Sequence, residues 1–148
     1  MFYHDLSAAE NLAHYARLYR CPHPLDLAQK ELQLAGLENH RGQPVRTFSR
    51  VILQRLSIAR ALLHDPDILL FDEPYTGLDK DAAHTLDRRL AALHQPGRVI
   101  LLAAHSPQRL IPLASHIAWL QNGKISHHLT TADIGTVQDL QATLQESP

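Results

Sequence analysis

The sequence holds a single cysteine, Cys21, so no disulfide can close within the chain and nothing marks an oxidising compartment. With no activating group beside it, a lone thiol reads as a packing residue rather than a nucleophile. Glycine is scarce as well: six residues, at 36, 42, 77, 97, 123 and 135. A loop that surrounds phosphates with backbone N–H groups needs G-x-x-x-x-G-K-[ST]. The only Gly-Lys here is Gly123-Lys124, followed by Ile125 and preceded five residues earlier by Ala118, which excludes such a loop from this stretch. No uninterrupted apolar run approaches the roughly 20 residues that cross a bilayer. The opening MFYHDLSAAENL lacks the basic and apolar regions of a secretory leader, so a cytoplasmic chain is expected, held at any membrane by something else. Charge of one sign is also missing. The net charge is -1 with His neutral, so no basic field gathers nucleic acid or acidic lipid, and no nucleic-acid partner is expected. The eleven histidines are scattered and form no close Cys/His grouping of the kind a metal site needs.

What is present suits a soluble globular chain, with 45% hydrophobic and 20% charged residues. Ser7-Ala-Ala-Glu10 is a capping box, and the apolar positions Leu12, Ala13, Ala16 and Tyr19 predict a helix ending before Pro22. A second helix is predicted from about Leu25 to Leu34, stopped by Gly36, and residues 37 to 47 read as a loop. Ser49 is placed to cap a third, from Arg50 to about Leu63. The character then changes. Ile68-Leu69-Leu70-Phe71 and Val99-Ile100-Leu101-Leu102-Ala103 are short continuous apolar runs, as expected of strands buried on both faces. Between them Asp79 opens a helix ending near Pro96-Gly97. Strand, helix, strand implies a parallel pair with a crossover. Asn122-Gly123 predicts a hairpin turn between Ile117–Leu120 and Lys124–Ser126, and the tail from about Asp133 to Leu144 reads as one more helix.

The chemistry-bearing residues cluster around the first strand. Asp72 and Glu73 follow its apolar run, putting two carboxylates at the C-terminal edge of a parallel sheet, where α/β proteins bind ligands. Two acids after a strand are by themselves commonly a polar exit into a loop. Their surroundings change that reading. Gln54 to Asp79, QRLSIARALLHDPDILLFDEPYTGLD, resembles the contiguous core of ABC-transporter ATPases: signature helix, Walker B strand, catalytic acid and D-loop. His105 falls where the family has its switch histidine. The resemblance implies an α/β fold, the later part of a P-loop NTPase, with a helical subdomain at 1–64, then at 65–148 a mostly parallel sheet with helices and a C-terminal hairpin. It implies ATP and Mg²⁺ as cofactors. Asp72 would orient the metal, Glu73 would position or deprotonate the attacking water, and His105 would contact the γ-phosphate. Asp79 would communicate across a dimer interface. Ser49 would lie at a helix N-terminus, a natural anion site, offered to nucleotide on the second ATPase subunit. A transmembrane permease subunit is the other implied partner, and it would hold the chain on the inner face of the cell membrane.

A narrower resemblance spans nearly the whole chain. YHDLSAAENLAHYARLYR, PVRTFSR and DEPYTGLD are similar to the ATPase subunit of haem exporters in cytochrome c maturation, although drug and polysaccharide exporters share the ENL and DEP elements. Two departures qualify the implied activity. The phosphate loop, Q-loop glutamine and adenine-stacking aromatic have no counterpart here and would lie before Met1, so a truncated subunit, inactive alone, is expected. The signature also differs: Val51 stands where a Gly should approach phosphate, and Ile52 and Leu53 add apolar surface. A non-enzymatic module docking on a permease or an intact ATPase is the alternative expectation, and the product of a truncated gene is another.

Overall fold

Ser7 closes the capping box that its sequence announces. Its hydroxyl accepts from the Glu10 amide at 3.2 Å, and the Glu10 carboxylate accepts the Ser7 amide at 2.8 Å. The helix it starts, α1 (Ala8–Leu18), is followed by α2 (Pro24–Leu34), two single 3-10 turns, and α3 (Arg50–Leu62), capped by the Ser49 hydroxyl at the Ile52 amide. A computed structural model describes residues 1–105, 107–132, 134, 138 and 140, in two compact units, Met1–Ala103 and Ala104–Pro148.

Three helices in the first unit share one core. Leu12, Ala13 and Ala16 of α1 meet Ala28 and Leu32 of α2 and Leu56, Ala59 and Leu63 at α3, with Leu37, Val45 and Phe48 from the connection closing it. Small residues on α1 let the helices approach closely, while the leucines fill the space between them. One polar side chain is fully buried here, Asn11. Its amide oxygen accepts the Tyr3 N–H at 2.9 Å, and its NH₂ donates to the carbonyls of Tyr3, Leu6 and Ser7. Both N–H donors and the carbonyl oxygen are engaged, so this Asn fixes the residues before α1 onto the helix with its burial largely compensated.

Strand β1 (Ile68–Asp72) pairs in parallel with β2 (Val99–Ala103), Ile68 opposite Val99 through Asp72 opposite Ala103, and α4 (Lys80–Leu93) is the crossover between them. Asp79 caps α4, and Ala82, Ala83, Leu86 and Leu90 form its buried stripe. The parallel arrangement is as expected, but the strands are not buried on both faces. Leu69 and Phe71 are buried, whereas Ile68 and Leu70 are 65% and 72% exposed and Val99 and Leu101 are 58% and 64% exposed. One crossover helix can cover only one face of a parallel pair. The second face leaves four large aliphatic side chains in contact with solvent.

The second unit contains α5 (Pro107–Leu110) and an antiparallel hairpin, β3 (His116–Gln121) with β4 (Lys124–Thr130). Asn122 and Gly123 take φ of +50° and +74°, the left-handed pair that a two-residue hairpin turn demands. The register shifts between Trp119 and Leu120, where the Ser126 hydroxyl donates to the Trp119 carbonyl at 3.2 Å. The helix expected from 133 to 144 lies outside the described residues, apart from the single positions named above.

Truncating Leu12, which is 0% exposed, should cost about 3 kcal/mol because the close-packed helices cannot collapse into the void; urea unfolding of Leu12→Ala measures it. The Glu10 carboxyl is held below its ordinary value of 4.5, first by the Ser7 hydroxyl and then by the Ser7 amide. A depressed carboxylate stabilises the fold above its unfolded value and loses that contribution as pH falls through the folded one. Unfolding curves of the chain and of Glu10→Gln, which keeps the cap but cannot titrate, should therefore converge in acid.

Candidate functional site

The chain leaves β1 through a turn that its backbone hydrogen bonds define closely. Asp72 is the last strand residue and is exposed. The Glu73 amide donates to the Ala103 carbonyl at 2.9 Å, extending the strand pairing by one bond, yet Glu73 itself takes φ of +45°. A left-handed conformation for a residue with a Cβ costs about 1 kcal/mol. It turns the chain sharply off the sheet immediately after Asp72, the last strand residue. Beyond it, the Thr76 amide donates to the Glu73 carbonyl at 3.1 Å and the Leu78 amide to the Tyr75 carbonyl at 3.1 Å. Gly77, at φ +78°, supplies the second left-handed step. Asp79 then ends the turn, its Oδ1 accepting the Ala82 amide at 2.8 Å.

Helix α3 holds this turn from the side. The Gln54 side-chain NH₂ donates to the Pro74 carbonyl at 3.4 Å, and Arg55 Nη2 lies 3.7 Å from Asp79 Oδ2. A methyl group on Gly77 would sit 3.8 Å from Val51 Cγ2. Val51, Gln54 and Arg55 lie three and four residues apart, so one helical face meets the turn at three points. From α4, Asp87 accepts the Tyr75 hydroxyl at 2.8 Å. The side chain of Val51 thus lies near the turn at Gly77.

Of the residues singled out from sequence, Asp72, Glu73 and Asp79 share this one turn. Ser49 lies at the start of α3, two residues before Val51, with its hydroxyl occupied in capping. His105 belongs to the second unit, two residues past the end of β2, and is exposed. Gln54 and Arg55, which contact the turn at Pro74 and Asp79, had no part assigned from the sequence, which carries no signal of those contacts. Mg²⁺ is commonly held by one or two protein carboxylates, with phosphate and water completing its shell. Exposed Asp72 beside Glu73 fits that share of the coordination. Among the described residues no group of three or more His, Cys, Asp or Glu could hold a metal by itself.

Comparison with known proteins adds the following. The model of a family described as "ABC transporter" matches residues 2–76. The "Nod factor export ATP-binding protein I" of Ralstonia nicotianae is 36% identical over 138 residues, 88% of this chain and 43% of the relative. The protein of the same name from Cupriavidus metallidurans is 40% identical over 100 residues, 66% of this chain and 33% of the relative. The "ABC transporter ATP-binding protein NatA" of Bacillus subtilis is 32% identical over 125 residues, 83% of this chain and 51% of the relative. The chain therefore spans about half the length, or less, of these curated relatives.

The cap at Asp79 can be separated from its charge. Asp79→Ala should lower stability by about 1 kcal/mol through loss of the α4 cap, whereas Asp79→Asn should lose only a small fraction of that. Denaturant midpoints of the two variants check this.

Proposed function

Because this chain belongs to the ABC transporter family, we propose that it supplies the carboxylate-bearing part of an ATP-binding and ATP-hydrolysing unit that drives an exporter. The observation that carries the proposal is the pair Asp72 and Glu73 at the C-terminal end of a parallel strand, in a turn clamped by α3. Asp72 is the metal-side residue, orienting Mg²⁺ through its exposed carboxylate. The bound ion would neutralise charge on the phosphate oxygens. Glu73 takes up the proton of the attacking water, or orients that water, from a backbone position that cannot drift because its amide is tied to β2. His105 is the γ-phosphate contact. The phosphates themselves must be cradled by residues that this stretch does not contain, so the chain alone should be inactive.

The partners follow from the same reading. Ser49 presents the N-terminus of α3 to the γ-phosphate of nucleotide on a second ATPase subunit, and Asp79 faces that subunit across the dimer interface. Among the described residues no helix is long and apolar enough to cross a membrane. Attachment to the inner face of the cell membrane is therefore assigned to a permease subunit. Two lines bear on the cargo. The resemblance carried by the segments 3–20 and 44–50 favours haem, while the names of the relatives from Ralstonia and Cupriavidus favour Nod factor export. Both support an export system, and the membrane subunit would make the choice.

A second reading is supported by one observation: the core formed by α1, α2 and α3 is closed within residues 2–63. A helical unit that packs by itself could dock on a permease without any hydrolysis. The two readings part at Glu73. In the assembled transporter, Glu73→Gln should lower ATP turnover by about 10²-fold or more while ATP binding persists. Unchanged turnover in that variant, with the chain still recovered on the permease, would instead establish the docking module.

A further inference from the structure

Away from the carboxylate turn, the hairpin of the second unit brings together two histidines that the hairpin itself separates along the chain. His116 opens β3 opposite Thr130, and His128 of β4 lies opposite Ala118, so the two are diagonal neighbours on one exposed face. Their imidazole rings stack at 5.5 Å between centroids, with 14° between the planes. The backbone beneath them is pinned. The Thr131 amide donates to the Ser115 carbonyl at 3.0 Å, and the Thr131 hydroxyl donates to the Ala114 carbonyl at 2.8 Å. His116 Nδ1 is hydrogen-bonded to the Ser115 hydroxyl at 3.1 Å. With Nδ1 as the donor, Nε2 keeps its lone pair, which is how metal-ligating histidines are usually held. Ala118, across from His128 on the same face, carries only a methyl group and cannot crowd an ion there.

We propose that His116 and His128 form a two-histidine site for Zn²⁺, with water in its remaining positions. Imidazole nitrogen suits Zn²⁺, whereas Mg²⁺ takes oxygen ligands, so this site is chemically distinct from the pair Asp72 and Glu73. Tetrahedral Zn²⁺ with bonds of about 2.0–2.1 Å sets two ligating nitrogens roughly 3.3 Å apart. Rings already stacked on adjacent strands would reach that separation by rotating their side chains. One ligand from each strand makes the ion a cross-link between β3 and β4. It would therefore stabilise the hairpin by binding the paired form alone. The site is independent of the nucleotide chemistry proposed above and stands or falls apart from it.

The test is an NMR titration of the 148-residue chain at pH 7.5 with zinc chloride, against magnesium chloride. Saturable one-to-one shifts centred on His116, Ala118 and His128 are expected with zinc, and none there with magnesium. His116→Ala and His128→Ala should each weaken zinc by about tenfold or more, since losing a ligand costs at least as much as losing an outer-shell partner. Both side chains are exposed, so the variants should fold, and the spectrum of each reports it. Zinc shifts that do not saturate, that centre on other histidines, that survive in either folded variant, or that magnesium reproduces would overturn the proposal.

Discussion

The hydrogen bond from the Glu73 amide to the Ala103 carbonyl constrains everything around the candidate site. To make it, Glu73 must remain in line with β1; to leave the sheet at the next residue, its backbone must turn left-handed. Two parallel five-residue strands could not hold that conformation alone. The surrounding bonds do: Thr76 back to the Glu73 carbonyl, Gln54 to the Pro74 carbonyl, and Arg55 toward Asp79. Strained backbone that persists because its neighbours over-determine it is found disproportionately at functional sites. Here it falls on the residue after Asp72, so that two consecutive acids stand at the C-terminal end of β1, the edge at which open α/β sheets meet ligands.

The same strands show how unevenly the first unit is finished. Its helical core is complete, with Leu12, Leu32, Leu37 and Leu56 fully buried and both ends of the Asn11 amide hydrogen-bonded. The sheet face bearing Ile68, Leu70, Val99 and Leu101 has no such cover. Parallel sheets are stable when both faces are packed. A face of four exposed aliphatic residues on a two-stranded sheet favours association. Stability in the unit therefore comes mainly from α1 to α3, and the carboxylate turn is anchored to that half through Gln54 and Arg55 as well as to the sheet through the Glu73 amide.

Much of this was legible in the residues. Ser7, Ser49 and Asp79 announced three helix starts because each is a side-chain acceptor followed by a helical apolar period, and all three cap as read. Asn122-Gly123 fixed the hairpin for an equally local reason, the need for two positive φ values. Two things were not legible. Burial of Ile68 and Leu70 depends on what lies across the sheet, and an apolar run reads the same whether or not its second face is covered. The clamp on the turn was hidden because Gln54 and Arg55 are unremarkable on an amphipathic helix, and their role appears only when Pro74 and Asp79 are brought beside them in space. The nearness of Val51 to Gly77 is equally hidden: spacing along the chain does not reveal it.

On the proposed reading, this chain carries the carboxylates of an ATP site without the groups that cradle the phosphates. Calorimetric titration of the isolated 148-residue chain with MgATP tests it most directly. The prediction is no saturable heat in the micromolar range, because exposed Asp72 and half-buried Glu73 alone repel a polyanion. Micromolar one-to-one binding that is lost in Asp72→Asn would contradict it, by showing that the phosphates are held within these residues after all.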